Sequence, residues 1–421
     1  MTASLSLATW IISALTVFGV IFRPMRWPEW TFAVAGAFIL LITGLLRWSN
    51  AVQGVLSGTD VYLFLAGMML LAEIARREGL FDYLAAYAAR AAKGSPHRLF
   101  WLVYVMGTFV TVFLSNDATA VVLTPAVIAV SRAAKVSSAL PYLLVCAFVA
   151  NAASFVLPIS NPANLVVFGE DLPALGPWLA RFALPSAVAI AATFFLLRWT
   201  QRHDLQGRIE TDIAIPELSR GGGVAAFGLT AAAIMLMASS SFGLELGLPT
   251  FAAGVLTALA VTVAERSNPL PLVKDISWGT LALVAGLFVI VRAVELSGLQ
   301  QILIDTLQPL LNGHPRTGAV LAGVVLAFAT NLTNNLPLGL MAGAFTTAAD
   351  LPGKVIDSIL VGIDIGPNLS VTGSLATILW LTALRREGLT FSAWNFLKLG
   401  LIVMPPTLIL ALAAVVVQPW T

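Results

Sequence analysis

Apolar residues recur along this chain in runs of about 20, the length a helix needs to cross a hydrocarbon core of roughly 30 Å. Such runs lie near residues 5 to 22, 30 to 46, 58 to 75, 174 to 197, 222 to 242, 248 to 264, 277 to 296 and 392 to 417. Two more segments, 140–169 and 355–385, are long enough to span but carry helix breakers midway. The first break reads PISNPAN from Pro158 to Asn164, the second GIDIGPNLSVTGS from Gly362 to Ser374. Segments 97–131 and 315–348 each read as apolar helix, polar break, apolar helix, which predicts two re-entrant hairpins. Their tips are Ser115-Asn116-Asp117-Ala118-Thr119 and Asn331-Leu332-Thr333-Asn334-Asn335.

The order of these features repeats. After Asp60 and again after Asp275 come an apolar helix, a Gly-Leu boundary, an amphipathic helix, an Asn-bearing hairpin tip and a broken helix. Gly67 pairs with Gly286, Gly79 with Gly298 and Asn116 with Asn334, while Pro162 falls near Ser374. The stretch from Arg76 to Arg98 holds Arg76, Arg77, Arg90, Lys93 and Arg98, whereas its counterpart from Gly298 to Arg316 holds only Arg316. That asymmetry puts the two copies on opposite sides of the membrane. The expected fold is an all-α polytopic membrane protein of two inverted repeats, each with five spanning helices, one of them broken, and a re-entrant hairpin. Residues 1–200 form the first repeat, 201–221 a cytoplasmic connector and 222–421 the second.

Composition excludes the other broad classes. Of 421 residues, 58% are hydrophobic and only 10% charged, against about 25% charged in ordinary globular chains. A net charge of +2 gives no basic surface for nucleic acid. One cysteine, Cys146, and three scattered histidines, His97, His203 and His314, offer no thiolate cage or HExxH spacing, so neither a resident metal nor a cofactor is expected. Leu5 to Phe22 lacks a basic flank before it and reads as a mature span rather than a cleaved signal. With the first hairpin cytoplasmic, all of the 23 basic residues except Arg47, Arg181, Arg292, Arg316 and Lys354 fall inside, the bias expected of a plasma-membrane protein. Both termini are then extracytoplasmic. Trp27, Trp30, Trp48, Trp278 and Trp420 near span ends read as anchors at the lipid interface.

Non-helical backbone at bilayer depth is tolerated only where protein buries it or water wets it, so the four polar breaks mark a cavity. Half-helix ends there expose free N–H groups and free carbonyls that together hold a small polar or ionic ligand. An aspartate at a helix centre costs roughly 2.5 to 3.5 kcal/mol on insertion scales, which makes Asp117 and Asp364 the leading functional candidates, as proton carriers. Either side chain has an alternative role, capping a half-helix or accepting bonds from nearby amides. Glu73 and Arg292 occupy matching repeat positions, so an ion pair between them, or one from each to a separate partner, is expected in a supporting role. No nucleophile with a neighbouring base stands in the membrane segments, which argues against an enzyme.

The strings SNDATAVVLTP (Ser115 to Pro125), TNNLP (Thr333 to Pro337) and GIDIGPNLSVTGSLATILWL (Gly362 to Leu381) closely resemble the arsenite efflux pump family ArsB, within the ion transporter superfamily. The resemblance covers essentially the whole membrane region and implies a scaffold part and a transport part of hairpins and broken helices. It further implies export of arsenite or antimonite by proton antiport from within the lipid bilayer, in some members with a cytoplasmic ATPase subunit. Arsenite near neutral pH is mostly the uncharged trihydroxide, which calls for amides and alcohols rather than a cationic clamp. Ser115, Asn116, Asn161, Asn164, Thr333, Asn334, Asn335, Asn368, Thr372 and Ser374 supply such groups. Where arsenite pumps commonly carry glycine after the hairpin aspartate and a charge after the Gly-Pro of the break, this chain has Ala118 and Asn368. The alternatives are a sodium-coupled anion carrier of the same superfamily and an uncoupled channel for small neutral solutes.

Overall fold

The computed structural model describes residues 3–24 and 27–419, and every regular element among them is a helix. Trp420 lies outside the described residues. Seven helices are long and apolar enough to cross a bilayer: Leu5–Phe22, Leu175–Thr200, Arg220–Ser241, Gly247–Glu265, Trp278–Leu296, Pro315–Thr333 and Ala393–Val417. An eighth span forms if Trp48–Ser57 and Thr59–Arg77, bent by 46° at Gly58, count as one. This is a multi-pass membrane protein.

Two boundaries differ from the sequence expectation. The run at 30 to 46 contains only a helix Glu29–Ile42, because the chain turns at Thr43 and Gly44, where Gly44 takes φ +71°. The arm Pro315–Thr333, expected as half of a re-entrant hairpin, is long enough to span by itself. At about 1.5 Å per residue its 19 residues reach almost through the hydrocarbon, while the 14 residues of Asn335–Ala348 do not.

Helix starts follow local chemistry. Ser95 accepts from the N–H of Arg98 just before Pro96, Ser219 from Gly222 and Ser392 from Asn395; each satisfies an N–H that a helix start leaves free. At the paired Gly-Leu boundaries, Gly79 and Gly298 both adopt left-handed backbone, φ +69° and +85°, ahead of Leu80–Ala91 and Leu299–Gly313. Glycine populates that region without a Cβ penalty.

The two halves interlock. Thr59–Arg77 packs on Gly247–Glu265, and Trp278–Leu296 packs reciprocally on Glu29–Ile42. Gly67 makes the first crossing close, since a Cβ there would strike the backbone of Thr250 and Phe251. Gly286 does the same at the second, where a Cβ would lie 2.8 Å from the carbonyl carbon of Ala33. Small residues let membrane helices approach closely in this way. Helix Leu175–Thr200, which follows the first broken helix, packs along Ala393–Val417, which follows the second.

Neighbouring segments tie the ends of each hairpin. The connector runs irregularly and bonds both ends of the first hairpin, Ile209 N–H to Gly94 O at 3.1 Å and Glu210 N–H to Ala134 O at 2.8 Å. Arg132 adds an ion pair to Glu387 at 2.9 Å. Though it lies outside the apolar runs, this stretch buries Leu205, Ile209 and Ile213 in the core shared with the helices. At the second hairpin, Gln308 and Asn312 of the amphipathic helix donate to Asp350 O just beyond Ala348.

Candidate functional site

The first broken helix comprises Leu140–Ala152, a tight turn at Pro158–Ser160 and Pro162–Phe168. The second comprises Gly353–Ile365, a turn at Gly366–Leu369 and Leu375–Arg386. Proline stands in each break: Pro367, two residues beyond Ile365, lacks the N–H a continuing helix needs, and Pro158 opens the tight turn of the first. The second halves restart on polar caps, Asn161 accepting from Ala163 N–H at 3.0 Å and Ser374 from Thr377 N–H at 3.2 Å.

The two breaks meet through side chains from opposite halves of the sequence. Asn161 Nδ2 donates to Asp364 Oδ1 at 2.7 Å. Asn151 Nδ2 donates to Asn368 Oδ1 at 3.0 Å, and Asn368 Nδ2 to Phe148 O at 3.0 Å. Asn164 Nδ2 faces three carbonyls, those of Ser154, Leu157 and Pro158, at 2.9, 3.1 and 3.3 Å. Ser374 and Thr377 share a hydrogen bond of 2.9 Å, and Asn151 reaches Thr377 Oγ1 at 3.4 Å. Asn151, Asn164, Asp364, Asn368 and Ser374 are all wholly buried.

Donors fall short of acceptors here. Asn151 Oδ1, Asn164 Oδ1 and Asp364 Oδ2 are the buried amide and carboxylate oxygens without a protein hydrogen-bond donor among the described residues. Leaving a buried acceptor unsatisfied costs about 1 to 3 kcal/mol each, a cost that functional sites tolerate.

The remaining candidates divide. Ser115 caps the second hairpin arm by accepting from Ala118 N–H at 3.3 Å, and Asn116 Oδ1 accepts from Asp117 N–H at 2.9 Å. Asp117 is half-buried at this tip, and neither a hydrogen bond nor an ion pair joins it to Asp364. Thr333 bonds back to Ala329 O at 3.0 Å. Asn334 caps Asn335–Ala348 in a glycine-like conformation, φ +69° and ψ 150°, and Asn335 N–H binds Gly373 O at 2.9 Å. Thr372 donates to Asn331 O at 3.0 Å. Asn334 and Thr372 also line a cavity of about 30 Å³ against Val20, Glu29 and Leu283, room for about one water.

Glu73 and Arg292 do not pair with each other. Glu73 binds Arg76 and Arg77 at 2.6 Å, Arg292 binds Glu295 at 3.0 Å, and each pair lies within one helix. Both stand within continuous helices rather than in the breaks.

Sequence reasoning passed over Asn151, Ser154 and Thr377, and gave Asn331 only as part of a hairpin tip. Asn331 links hairpin and break, donating to Gly366 O at 3.0 Å and accepting from Ser370 at 2.7 Å. A signal for Asn151 existed: Leu140–Ala152 and Gly353–Ile365 are both 13 residues long, and Asn151 and Asp364 are each second from the end. The same comparison aligns Ser115 with Asn334 as hairpin caps, one residue from the pairing of Asn116 with Asn334 that the strings suggest.

The chain is similar to known proteins along most of its length. Residues 7–365 match the citrate transporter family CitMHS. The arsenical pump membrane protein of Escherichia coli strain K12 is 26% identical over 97% of both chains. That of Yersinia enterocolitica is 27% identical over 83% of this chain and 84% of its own. Among solved structures, the Alcanivorax borkumensis YdaH transporter superposes with a TM-score of 0.55 at 14% identity, covering 88% of this chain and 86% of that one. Neisseria gonorrhoeae MtrF, of a class of antimetabolite efflux pumps, gives 0.55 at 13%, covering 88% and 83%. These two likenesses concern the fold. The protein is a membrane transporter rather than an enzyme, and with the match running along most of its length the chain belongs to the citrate transporter family.

Proposed function

We propose that this protein exports trivalent arsenic and antimony from the cytoplasm as neutral trihydroxides in exchange for protons. The observation that carries the reading is Asp364, wholly buried, with one oxygen held by Asn161 of the other broken helix and the other oxygen free of any protein donor. Such a carboxylate can take a proton without first breaking a salt bridge. The relatives named as arsenical pumps supply the substrate class. Neither Lys nor Arg stands in any of the four breaks, so a tricarboxylate would meet no cationic partner there, whereas a neutral hydroxide meets amides and alcohols.

Asn151, Asn164, Asp364, Asn368 and Ser374 are wholly buried, so exchange requires movement. In this reading residues 1–200 and 222–421 are inverted repeats joined by the cytoplasmic connector, and both termini lie outside the plasma membrane. The hairpins and broken helices move together against a scaffold of the remaining spans. Close crossings support the grouping: Gly362 and Gly323 meet backbone to backbone between broken helix and hairpin, and Gly343 meets Val166 O across the halves. A proton from outside loads Asp364, its release inside resets the site, and substrate loads in its place. Asp117, at the first hairpin tip, accompanies the proton to or from that site. A cytoplasmic ATPase subunit would dock on the connector side.

Everted vesicles containing the protein, with an imposed proton or sodium gradient, test the reading. Proton-driven arsenite accumulation is expected, lost in Asp364→Asn at unchanged protein level and weakened in Asp117→Asn. Accumulation that follows sodium, or that survives Asp364→Asn undiminished, contradicts it.

A further inference from the structure

We propose that Asn151, Asn164 and Asp364 form a three-acceptor pocket for a small neutral solute bearing several hydroxyl groups, each side chain taking one hydroxyl proton. The assignment deepens the export reading above and rests on it for the physiological ligand.

Each acceptor is oriented by a separate constraint. Asn164 Nδ2 is committed to three carbonyls, and turning the amide over would set oxygen against oxygen three times, so Oδ1 is fixed as the free acceptor. Asn368 spends its Nδ2 on Phe148 O and therefore shows Asn151 an oxygen, which only the Asn151 amino group can answer. Asn161 uses its oxygen to cap Ala163 and so presents Nδ2 to Asp364. What remains on each is an acceptor without a donor.

Ser154 ties the three together. Its hydroxyl donates to Asn151 O at 2.7 Å, its carbonyl accepts from Asn164 at 2.9 Å, and the same hydroxyl lies beside the Asp364 carboxylate. Because that hydroxyl proton is already given to Asn151 O, it leaves Asp364 Oδ2 for an incoming donor.

The count selects the ligand. Acceptors alone repel an anion, and hard cations favour six or more oxygen ligands, which three side-chain oxygens do not supply. A trihydroxide brings three O–H donors, one for each acceptor. Asn151 thus becomes a binding residue in the half of the chain opposite Asp364.

The test uses the full-length protein purified in detergent, with thermal unfolding followed against arsenite, boric acid as a second neutral trihydroxide, and sodium chloride. Arsenite should raise the melting temperature of the wild type. Its apparent affinity should fall about ten-fold or more in Asn151→Leu and Asn164→Leu. Asn151→Ala replaces Asn151→Leu if the latter does not fold. Wild-type affinity in the Leu or Ala variants, a stabilising shift from sodium alone, or no shift from either trihydroxide overturns the pocket. Trihydroxide binding lost in Asn151→Leu, in a protein whose vesicles transport no arsenite, upholds the pocket and removes the export reading. Transport with unaltered binding in Asn151→Leu does the reverse.

Discussion

Asn334 adopts φ +69° and ψ 150°, a region that only glycine occupies at low cost and that charges other residues about 1 to 3 kcal/mol. Its return is a cap: Oδ1 accepts from Leu336 N–H at 3.4 Å at the hairpin tip. Asn334→Gly should therefore unfold at the same or a higher temperature than wild type, and Asn334→Ala at a lower one, in a detergent melt. Asn161 carries two roles, capping Pro162–Phe168 and holding Asp364. Asn161→Ala should cost about 1 to 2 kcal/mol for the cap and also slow proton-driven transport, whereas Asn161→Asp should keep the cap but set two carboxylates together and lose transport. Asp364 was legible in the sequence because a charge in an apolar run is costly and conspicuous. Asn151 was not, because an amide inside LPYLLVCAFVANA looks like an ordinary polar residue until its contact with Asn368, more than two hundred residues away, is seen.

Elements were legible where local chemistry decides them. Apolar runs and the Gly-Leu boundaries give helix limits from sequence, and Gly79 and Gly298, paired there by position, take the same left-handed conformation. Length against bilayer thickness was less decisive, since Pro315–Thr333 reads alike as a span or a hairpin arm. Helix crossings are set by which small residues face each other, and hydropathy does not encode that. Gly67 against Thr250 shows the consequence: Gly67→Val should push backbone from backbone and cost about 1 to 3 kcal/mol or more, read as a lower melting temperature and less folded protein. The connector makes a pH-dependent prediction. The N–H groups of Thr211 and Asp212, with Lys135, hold the exposed Glu210 carboxyl below its ordinary range. A carboxyl depressed in the folded state contributes stability above its unfolded pKa and loses it as pH falls through the folded one. Protection factors at residues 205 to 213, taken relative to the intrinsic amide exchange rate at each pH, should therefore fall on acidification below the usual carboxylate range, with a small amplitude because the group is exposed.

At the scale of the whole molecule, the two halves exchange partners at every level. Scaffold helices pack across the halves, Pro162–Phe168 of the first packs on Asn335–Ala348 of the second, and Leu375–Arg386 packs on the first hairpin. The order of elements in each half was readable from the strings; the exchange was not, because it depends on contacts far apart in sequence. Asp364 sits where the two broken helices meet, and the proposed exchange has its proton and the substrate occupy that one buried place in turn. The most direct test is reciprocal: an arsenite gradient imposed across proteoliposomes, with protons followed by a trapped pH-sensitive dye. The expected result is proton movement opposite to arsenite in the wild type, absent in Asp364→Asn. Arsenite movement with no proton response in the wild type would contradict the exchange mechanism.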